Sequence, residues 1–437
     1  MIRVLVSIFL VFASLSARAE ISISEVNTPG GIGAWLVEDH SLPFVALEIR
    51  FRGGASLDPV GRRGATHMMV GLLEEGAGDM DAQAFASAVD DLAANFEYDV
   101  NNDSISISAR FLTENRDKAV SLLRESITAP RFDEDAMERV RAQISSIINS
   151  DLSDPEEAAW HSFSEMVYGS HPYGSPIEGD LPTLQSLNRD DLISAHNAAL
   201  ARDRVYVGAV GDIGTVELAK LLDALLGDLP EKGGPLPPAA SPNLTGGTIV
   251  REFDTPQSVA YFAQPGIHRD HPDFFAAFIL AHIIGDPGLE SVLMREVRVK
   301  RGLTYSIYSY LANQDLAEIW IGTTSSANDR VAEAVDVIRA EWERISREGV
   351  TREQFDAAVT YLTGAYPLRF DGNGRIANIV VGMQMDDLPL DYISTRNDKI
   401  RAVTLKDVNN VAKELLDPDS LTFVVTGKPA GLELSTD

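Results

Sequence analysis

A short segment around His67 carries the first residues whose types and spacing bear on chemistry. Residues 61–78 read GRRGATHMMVGLLEEGAG and predict a helix over residues 64–75. One face of that helix presents His67, Val70 and Gly71 in succession. A hydrolytic zinc site on a helix needs two histidine ligands and a glutamate base on such a face. This face has one possible ligand and no base, so it predicts no intact zinc site.

The opposite face of the same helix is apolar at helical spacing. Its members recur at i, i+3 and i+4, and they are Ala65, Met68, Met69, Leu72 and Leu73. Glu74 and Glu75 lie about one turn beyond the metal-binding face, so they do not replace its missing groups. The segment is therefore predicted to pack on a hydrophobic core.

Two other groups of polar side chains have spacings that a metal ion would tolerate. Glu157, His161 and Glu165 recur every four residues on one predicted helix, which is more typical of a solvated, ion-paired face. His268 and His271 lie in the proline-bounded loop PGIHRDHP, where we expect loop or capping roles. Neither group is predicted to bind a metal.

Nucleophilic hydrolysis has no candidate residues in this chain. There is no cysteine and no G-x-S-x-G segment. His171, in the segment HPYG, is expected to order a turn. The run Asn101-Asn102-Asp103 is interpreted as a hairpin turn rather than a calcium site.

Residues 298–305, RVKRGLTY, place an arginine and a tyrosine on either side of a helix end. Arg298 lies in the last turn of a predicted helix whose apolar face is Leu289, Val292, Leu293 and Val297. Gly302 predicts the helix stop, and Tyr305 alternates with Leu303 and Ile307 along the next strand. The pattern brings a guanidinium and a phenol to one place. The alternative is a helix-end arginine beside a half-buried strand tyrosine.

The elements that position these residues follow an α+β order. In the first half, strands are predicted near residues 34–38, 44–52, 96–100, 104–111 and 204–210. Its helices are predicted over 64–75, 81–94, 115–128, 133–150, 155–168 and 189–200. In the second half, strands are predicted over 247–252, 257–264, 303–312, 316–324 and 421–425. Its helices are predicted over 272–284, 288–300, 328–348, 351–367, 373–384, 389–400 and 405–416.

The ends of the two halves match each other at a constant offset of 216 residues. The matching pairs are Asp191 with Asp407, Asp203 with Asp419, and Gly211 with Gly427. Each set spans a helix, a short turn and an apolar strand, which indicates a duplication. We therefore predict two copies of one α+β domain.

Residues 229–243, LPEKGGPLPPAASPN, separate the two predicted domains. Five prolines and two glycines in this segment are typical of an extended linker. The predicted domains are residues 20–228 and 244–437.

The first nineteen residues predict an export signal. Arg3 precedes the apolar run 4–15, and Ala17-Arg18-Ala19 is a small-x-small cleavage site. The apolar run is too short to span a bilayer, and no later segment is long enough. We predict cleavage before Glu20 and a periplasmic or secreted protein, with a retained amino-terminal anchor as the alternative.

The charge of the chain restricts its partners. The signal carries two arginines and no acidic residue, so its removal would change the net charge from −28 to −30. Such an acidic surface argues against nucleic acid and anionic membranes as partners. The absence of cysteine excludes disulfides and thiolate metal sites.

Six segments, taken in order, resemble one protein family. They are the helix at 61–76, HPYG at 171–174, VGAVGD at 207–212, ILAHIIG at 279–285, RVKRGLTY at 298–305 and AVTLKDV at 402–408. The chain resembles the insulinase/pitrilysin family of zinc peptidases, in the branch of the mitochondrial processing peptidases and their bacterial periplasmic relatives. The resemblance implies two homologous α/β-roll domains, which agrees with the duplication.

The resemblance also identifies what the chain lacks. The family's zinc motif is H-x-x-E-H, with a third glutamate ligand further along the chain. His67 matches the first histidine, while Val70 replaces the glutamate base and Gly71 replaces the second histidine. The third ligand would fall near Ser146 or Ile147, where no acidic residue stands. His67 is therefore interpreted as a remnant, and no cofactor is expected in this chain.

Arg298 and Tyr305 match the family's carboxy-terminal motif residue for residue. The resemblance implies that this arginine contacts the substrate backbone and that the tyrosine hydroxyl stabilises the oxyanion at a zinc site across the cleft or in a partner chain. The segment Gly285-Asp286-Pro287-Gly288 occupies the place of the family's glycine-rich substrate loop, but it is short.

The loss of the zinc-binding residues and the retention of Arg298 and Tyr305 predict a non-catalytic subunit of a heterodimeric zinc peptidase. The chain would bind unfolded peptides, supply Arg298 and Tyr305 to a zinc-bearing homologous subunit, and be inactive alone. One alternative is a peptide-binding or assembly scaffold of the same fold with no role in proteolysis. Another is an enzyme with an unrecognised metal site.

Overall fold

The structure, a computed structural model, describes residues 21–434. The predicted signal peptide lies outside the described residues. No helix of the described part is both long enough and apolar enough to cross a membrane. In this range the chain builds two mixed sheets, one from each half, with helices packed on them.

The first half contributes eight strands and eight α-helices among the described residues. The strands are β1 Ser24–Asn27, β2 Gly33–Glu38, β3 Phe44–Arg52, β4 Gly76–Ala77, β5 Met80–Asp81, β6 Asn95–Val100, β7 Ser104–Leu112 and β8 Val205–Gly211. The helices are α1 Ala65–Gly71, α2 Ala82–Asp91, α3 Arg116–Thr128, α4 Glu134–Asp151, α5 Pro155–Tyr168, α6 Leu181–Ser186, α7 Arg189–Ala199 and α8 Thr215–Leu226. Helices α6 and α8 were not predicted from the sequence.

The second half contributes five strands and six helices among the described residues. The strands are β9 Gly247–Glu252, β10 Gln257–Pro265, β11 Thr304–Gln314, β12 Ala317–Ala327 and β13 Thr422–Gly427. The helices are α9 Phe274–Gly285, α10 Val331–Glu348, α11 Arg352–Ala365, α12 Asn373–Met385, α13 Tyr392–Ala402 and α14 Leu405–Leu415. A π-helical turn, Met294–Val299, stands between α9 and β11.

The two sheets share one topology. The first has the order β1-β2-β8-β3-β7-β6, and the second has the order β11-β12-β10-β13-β9. In each sheet the strand that closes the domain lies in parallel beside the strand that opens it, which gives the pairs β2–β8 and β13–β9. The other pairings are antiparallel. The prediction of two homologous α+β domains is confirmed, and β1 is an addition to the first.

The duplication extends to the helix caps. Helix α7 begins after Asn188, whose backbone N–H donates to Asp191 in a capping box. Helix α14 begins after Thr404, whose N–H donates to Asp407 in the same way. Each carboxylate satisfies a donor that the first turn of a helix leaves free. The two aspartates are one of the pairs that revealed the repeat.

Each half also lays one helix on the sheet of the other half. Helix α5 packs on β10 and β13, where Phe163 and Val167 join the core of Ile319 and Val424. Helix α12 packs on β3 and β8. These exchanged helices join the two halves through buried apolar surface, which stabilises their association.

The segment between α8 and β9 has no helix or strand, as expected of a linker. It follows the surface of both halves, because Gly234 donates to the carbonyl of Ala198 and Ala240 donates to that of Leu316. The domain limits at residues 228 and 244 stay a prediction.

Candidate functional site

Helix α1 is held at its start by the partly buried carboxylate of Asp58. Asp58 accepts hydrogen bonds from the backbone N–H of Gly64 and of Thr66, both at 2.9 Å, and from the Thr66 hydroxyl at 2.6 Å. Burial raises the pKa of Asp58, and these donors act against that rise. The side chain therefore fixes the direction in which α1 enters the domain.

Helix α1 is shorter than predicted, because it ends at Gly71 and not at Glu75. The N–H groups of Leu72 and Leu73 bond carbonyls three residues back, at 3.1 Å each, so the last turn tightens. Both leucines remain buried. The predicted apolar stripe is thus in the core, as expected.

His67 faces a residue that the sequence did not point to. Its Nδ1 lies 3.4 Å from Oε1 of Glu178, in the loop before α6. The histidine side chain is 22% exposed, and its Nδ1 has no hydrogen-bond acceptor of good geometry. Glu178 lies far along the chain in an irregular segment, so no periodicity could pair it with His67.

The other two positions of the zinc face are filled by packing. Val70 is 3% exposed and belongs to the apolar core. A side chain at Gly71 would meet Val140 of α4, because an added Cβ would lie 3.3 Å from Val140 Cγ1. A histidine at Gly71 would therefore press on the Val140 side chain, which would have to give way.

The place of the distal ligand has no metal-binding group either. Ser146 and Ile147 are exposed on α4. Ile147 lines a cavity of ≈ 380 Å³ together with Asp151, His161 and Glu178. Among residues 21–434, no three His, Cys, Asp or Glu side chains come together as a metal site. Glu157, His161 and Glu165 on α5 accordingly form no such group.

The remaining histidines of the sequence analysis order loops. His171 Nδ1 accepts from the backbone N–H of Tyr173 at 3.2 Å, which starts the HPYG turn. His268 and His271 accept in the same way from the N–H groups of Asp270 and Asp273, at 3.1 and 3.2 Å.

The segment before Arg298 is wound differently from the predicted helix. Regular helix begins only at Val292, and the turn Met294–Val299 is π-helical, with Lys300 donating to the carbonyl of Arg295. Leu289, predicted on the apolar face, is exposed in the preceding loop. π-helical turns are frequently found at functional sites.

Tyr305 is placed by an irregularity of strand β11. A β-bulge between Thr304 and Ile307 inserts one extra residue opposite β12. Leu303 and Ile307 are buried, whereas Tyr305 is 83% exposed. A regular strand would put all three on one face, so the bulge turns Tyr305 out to solvent. The predicted alternation of Tyr305 with Leu303 and Ile307 along a regular strand is therefore wrong. The alternative of a half-buried strand tyrosine is also wrong.

Arg298 and Tyr305 contact each other. The guanidinium carbon of Arg298 lies 4.6 Å from the centroid of the Tyr305 ring, within cation–π distance. The neighbouring Glu296 is bonded to Lys300 at 2.7 Å and to Arg301 at 3.1 Å. Among the described residues no carboxylate pairs with Arg298. The pair thus presents an unneutralised cation and a phenol hydroxyl side by side.

A cavity of ≈ 580 Å³ lies beside the short glycine-containing loop. Asp286 and Gly288 line it, with Arg295 from the π-helical turn and Tyr361 from α11. His282 stacks on Tyr361 at 5.0 Å and lies 3.0 Å from Asp286. Burial lowers the pKa of His282 despite this carboxylate. Sequence reasoning missed Arg295 and Tyr361, which only the fold brings to the loop.

Two models of known families match the chain. One, described as Peptidase M16 inactive domain, matches residues 186–362, and one described as Insulinase (Peptidase family M16) matches residues 34–181. The chain belongs to the M16 insulinase family. This confirms the resemblance drawn from the motifs.

Similar proteins of this family carry different names. The chain is 25% identical to the Non-peptidase homolog YmxG of Helicobacter pylori, over 95% of this chain and 96% of that one. It is 24% identical to a Probable mitochondrial-processing peptidase subunit beta of Schizosaccharomyces pombe, over 87% of this chain and 85% of that one. The first name and the inactive-domain match fit a member of the M16 family without zinc of its own.

The fold agrees with a solved structure. A crystal structure described as the peptidase M16 inactive domain from Pseudomonas fluorescens superposes with a TM-score of 0.87 at 24% identity. The match covers 95% of this chain and 100% of that one. The M16 fold therefore extends over the described residues of both halves.

Proposed function

We propose that this M16 member is the non-catalytic subunit of a periplasmic zinc peptidase. It would pair with a homologous subunit that carries zinc, bind unfolded peptides, and place Arg298 and Tyr305 at the partner's metal centre. Alone it would be inactive.

The difference between the two halves is the observation that carries this proposal. The zinc face of α1 is closed by Val70 and by the approach of Val140 to Gly71. In contrast, Tyr305 is projected into solvent by a bulge and lies under an unneutralised arginine. A large exposed aromatic side chain held by a specific backbone irregularity supports a role in binding.

The chemistry of the pair fits a hydrolytic site whose metal is supplied by another chain. A phenol hydroxyl can donate to the oxygen that becomes negative in the tetrahedral intermediate, and such a donor is worth about 3 kcal/mol of barrier. A guanidinium can donate to substrate carbonyls and orient the scissile bond. Neither group can activate water, so the partner must provide both zinc and base.

Strand β11 supports the peptide-binding part of the proposal. It is an edge of the second sheet, and within residues 21–434 no strand pairs with its outer side. An extended peptide can add to such an edge through main-chain hydrogen bonds. Tyr305 lies at the start of this strand and Tyr310 is exposed along it. A peptide bound there would run past the Arg298–Tyr305 pair.

Location in the periplasm rests on the sequence of residues 1–19. The basic residue, the apolar run and the small-x-small site form a signal, and the absence of cysteine is compatible with an oxidising compartment. Fractionation of cells expressing the full chain, with mass measurement of the mature amino terminus, tests this part. An amino terminus that still carries residues 1–19 would refute cleavage.

The central experiment mixes this chain with a zinc-bearing homologue and follows cleavage of an unfolded peptide. We expect no cleavage by this chain, stoichiometric zinc only in the partner, and a large gain on mixing. Tyr305→Phe should lower kcat of the mixture by about 100-fold with little change in KM, because one oxyanion donor is lost.

Tyr310→Phe is the matched control for that substitution. Tyr310 is exposed on the same strand, so its replacement removes a hydroxyl at the same edge without touching Arg298. The mixture should keep its kcat in this variant, because no oxyanion donor is lost. If mixing gives no gain, or if both variants behave alike, the shared-site proposal is wrong and the scaffold alternative is favoured. Stoichiometric zinc in this chain alone would instead favour an unrecognised metal site.

A further inference from the structure

A third cavity lies where helices α9, α12 and α13 meet strand β3, and neither Arg298 nor Tyr305 lines it. Its volume is ≈ 310 Å³. The charged residues of its lining are four arginines and one acid: Arg50, Arg269, Arg369, Arg396 and Asp386. This surplus of positive charge stands out in a chain whose net charge is −28.

Arg396 is the most buried of these arginines. It is 6% exposed, and its guanidinium donates to the carbonyl of Leu362 at 3.2 Å and to Asn397 Oδ1 at 3.1 Å. Among the described residues no carboxylate pairs with it. The ring of Tyr366 lies 4.2 Å from its guanidinium carbon. Burial lowers the pKa of Arg396, and the charge of Arg369 acts in the same direction.

Arg50 and Arg269 each form an ion pair with one carboxylate, but the Nε atom of each makes no hydrogen bond. The Nε atoms of both are buried without a hydrogen-bond acceptor. The nearest carboxylate oxygens are Glu48 Oε1, 3.6 Å from Arg50, and Asp386 Oδ2, 3.4 Å from Arg269. Buried donors without acceptors cost free energy that a bound anion would recover.

Arg369 completes the cluster from the rim. It is exposed in the turn after α11, and among residues 21–434 it makes no hydrogen bond or ion pair. Two guanidinium groups beside each other repel, and an anion between them converts that repulsion into two attractions. Planar guanidinium groups suit carboxylate and phosphate because they donate two parallel hydrogen bonds.

Apart from Asn378, the remaining walls of the cavity are mostly apolar or aromatic. They are formed mainly by Phe274, Phe275, Phe278, Met383, Leu388 and Tyr392. Aromatic walls with a few convergent charged groups are typical of a small-molecule site. An inorganic anion alone would leave these walls without a partner.

We infer that this cavity binds a small organic oxyanion, a carboxylate or phosphate carried on an aromatic or apolar body. The four arginines would hold the anionic group and the aromatic rings would cover the body. Because this site shares no residue with the Arg298–Tyr305 pair, the inference stands or falls separately from the proposed function.

Calorimetric titration of the full mature chain at low salt tests the inference. The probes are phenyl phosphate, phenylacetate and inorganic phosphate. We expect at least one of the two aromatic anions to bind with one-to-one stoichiometry and at least tenfold more tightly than inorganic phosphate. Binding of inorganic phosphate as tight as that of both aromatic anions would refute the inference, and so would the absence of binding by either aromatic probe.

Two charge-matched variants locate the site. Arg369→Gln should weaken binding of the aromatic anion at least tenfold, and its exposed position should leave the fold intact. Arg110→Gln is the control, because Arg110 is exposed on β7 and has no ion pair among the described residues. An equal loss of affinity in both variants would show attraction by overall charge and would overturn the inference.

Discussion

At the scale of single residues, the zinc face of α1 is replaced by packing rather than left empty. Val70 takes part in the core, and a Cβ added at Gly71 would lie only 3.3 Å from Val140 Cγ1. Restoring the zinc motif would require Val70→Glu, which buries a charge, and Gly71→His, which crowds the contact between α1 and α4. Both changes are unfavourable in a core of crystal-like density.

Gly71→His should lower the free energy of unfolding by about 1–3 kcal/mol, because the imidazole overpacks against Val140. The variant should also bind no stoichiometric zinc, since the third ligand remains absent. Urea denaturation and metal analysis measure the two outcomes.

Gly364→His is the control for that substitution. Gly364 lies in helix α11, and an added Cβ there meets no atom within 4 Å. Its replacement should change stability by no more than about 0.5 kcal/mol. A Gly71→His protein as stable as this control would contradict the packing explanation.

At the scale of elements, the turn between Arg298 and Tyr305 depends on two irregularities in succession. The π-helical turn ends at Val299, and Gly302 then donates its N–H to the carbonyl of Arg298 at 2.8 Å. Gly302 has φ of 63°, in the left-handed region. The bulge in β11 follows directly. Together they turn the chain so that a helix-end arginine covers the ring of Tyr305.

Gly302→Ala should lower the free energy of unfolding by about 1 kcal/mol, because a Cβ is strained at this φ. If the proposed function holds, it should also reduce the activity of the mixed enzyme, since the Arg298–Tyr305 contact shifts. Gly374→Ala, in the first turn of α12 with open space, should be neutral or stabilising. Equal stability losses in both variants would contradict the turn's role.

At the scale of the whole molecule, the tips of two hairpins join the halves. Asp103, in the turn after β6, accepts from the backbone N–H of Asp315 at 3.2 Å and is bonded to the Tyr173 hydroxyl. Asp315, in the turn after β11, lies 3.1 Å from Arg52. The predicted hairpin turn at Asn101-Asn102-Asp103 is confirmed, and its role in joining the two sheets was not foreseen.

The contact predicts a pH dependence of stability. Burial raises the pKa of Asp315 to about 6, with Asp103 adding to the rise and Arg52 opposing it. The folded protein then holds this proton more tightly than the unfolded chain between about pH 4 and pH 6. Stability contributed by protonation is therefore present at low pH and lost as the pH rises through this window.

Asp315→Asn should therefore have the same free energy of unfolding as the wild type near pH 4. At pH 7 its free energy of unfolding should be higher by about 1 kcal/mol, a value reduced because the Asp315 side chain is partly exposed. Denaturant curves at several pH values measure the difference. Asp329→Asn, an exposed carboxylate after β12, should follow the wild type throughout. A constant offset between Asp315→Asn and the wild type at every pH would rule out this titration.

Much of the molecule was determined by the sequence itself. Apolar periodicity located most helices and strands within a few residues, because burial of one face imposes that period on the chain. The constant offset between Asp191 and Asp407 predicted the duplication, since both cap equivalent helices. The loss of the zinc motif was also predictable from the sequence, because the side chains of valine and glycine have no group that binds a metal.

Other features depended on contacts between segments distant in sequence, and only the tertiary structure decided them. The exposure of Tyr305 follows from a bulge that pairing with β12 creates, and no local periodicity encodes such a bulge. The closure of Gly71 by Val140 and the approach of Glu178 to His67 depend on how helices and loops pack. The arginine cavity likewise draws Arg50 and Arg396 from opposite halves. The periodicity of a sequence indicates which residues are buried. The neighbours of each side chain are determined by how the elements pack in three dimensions.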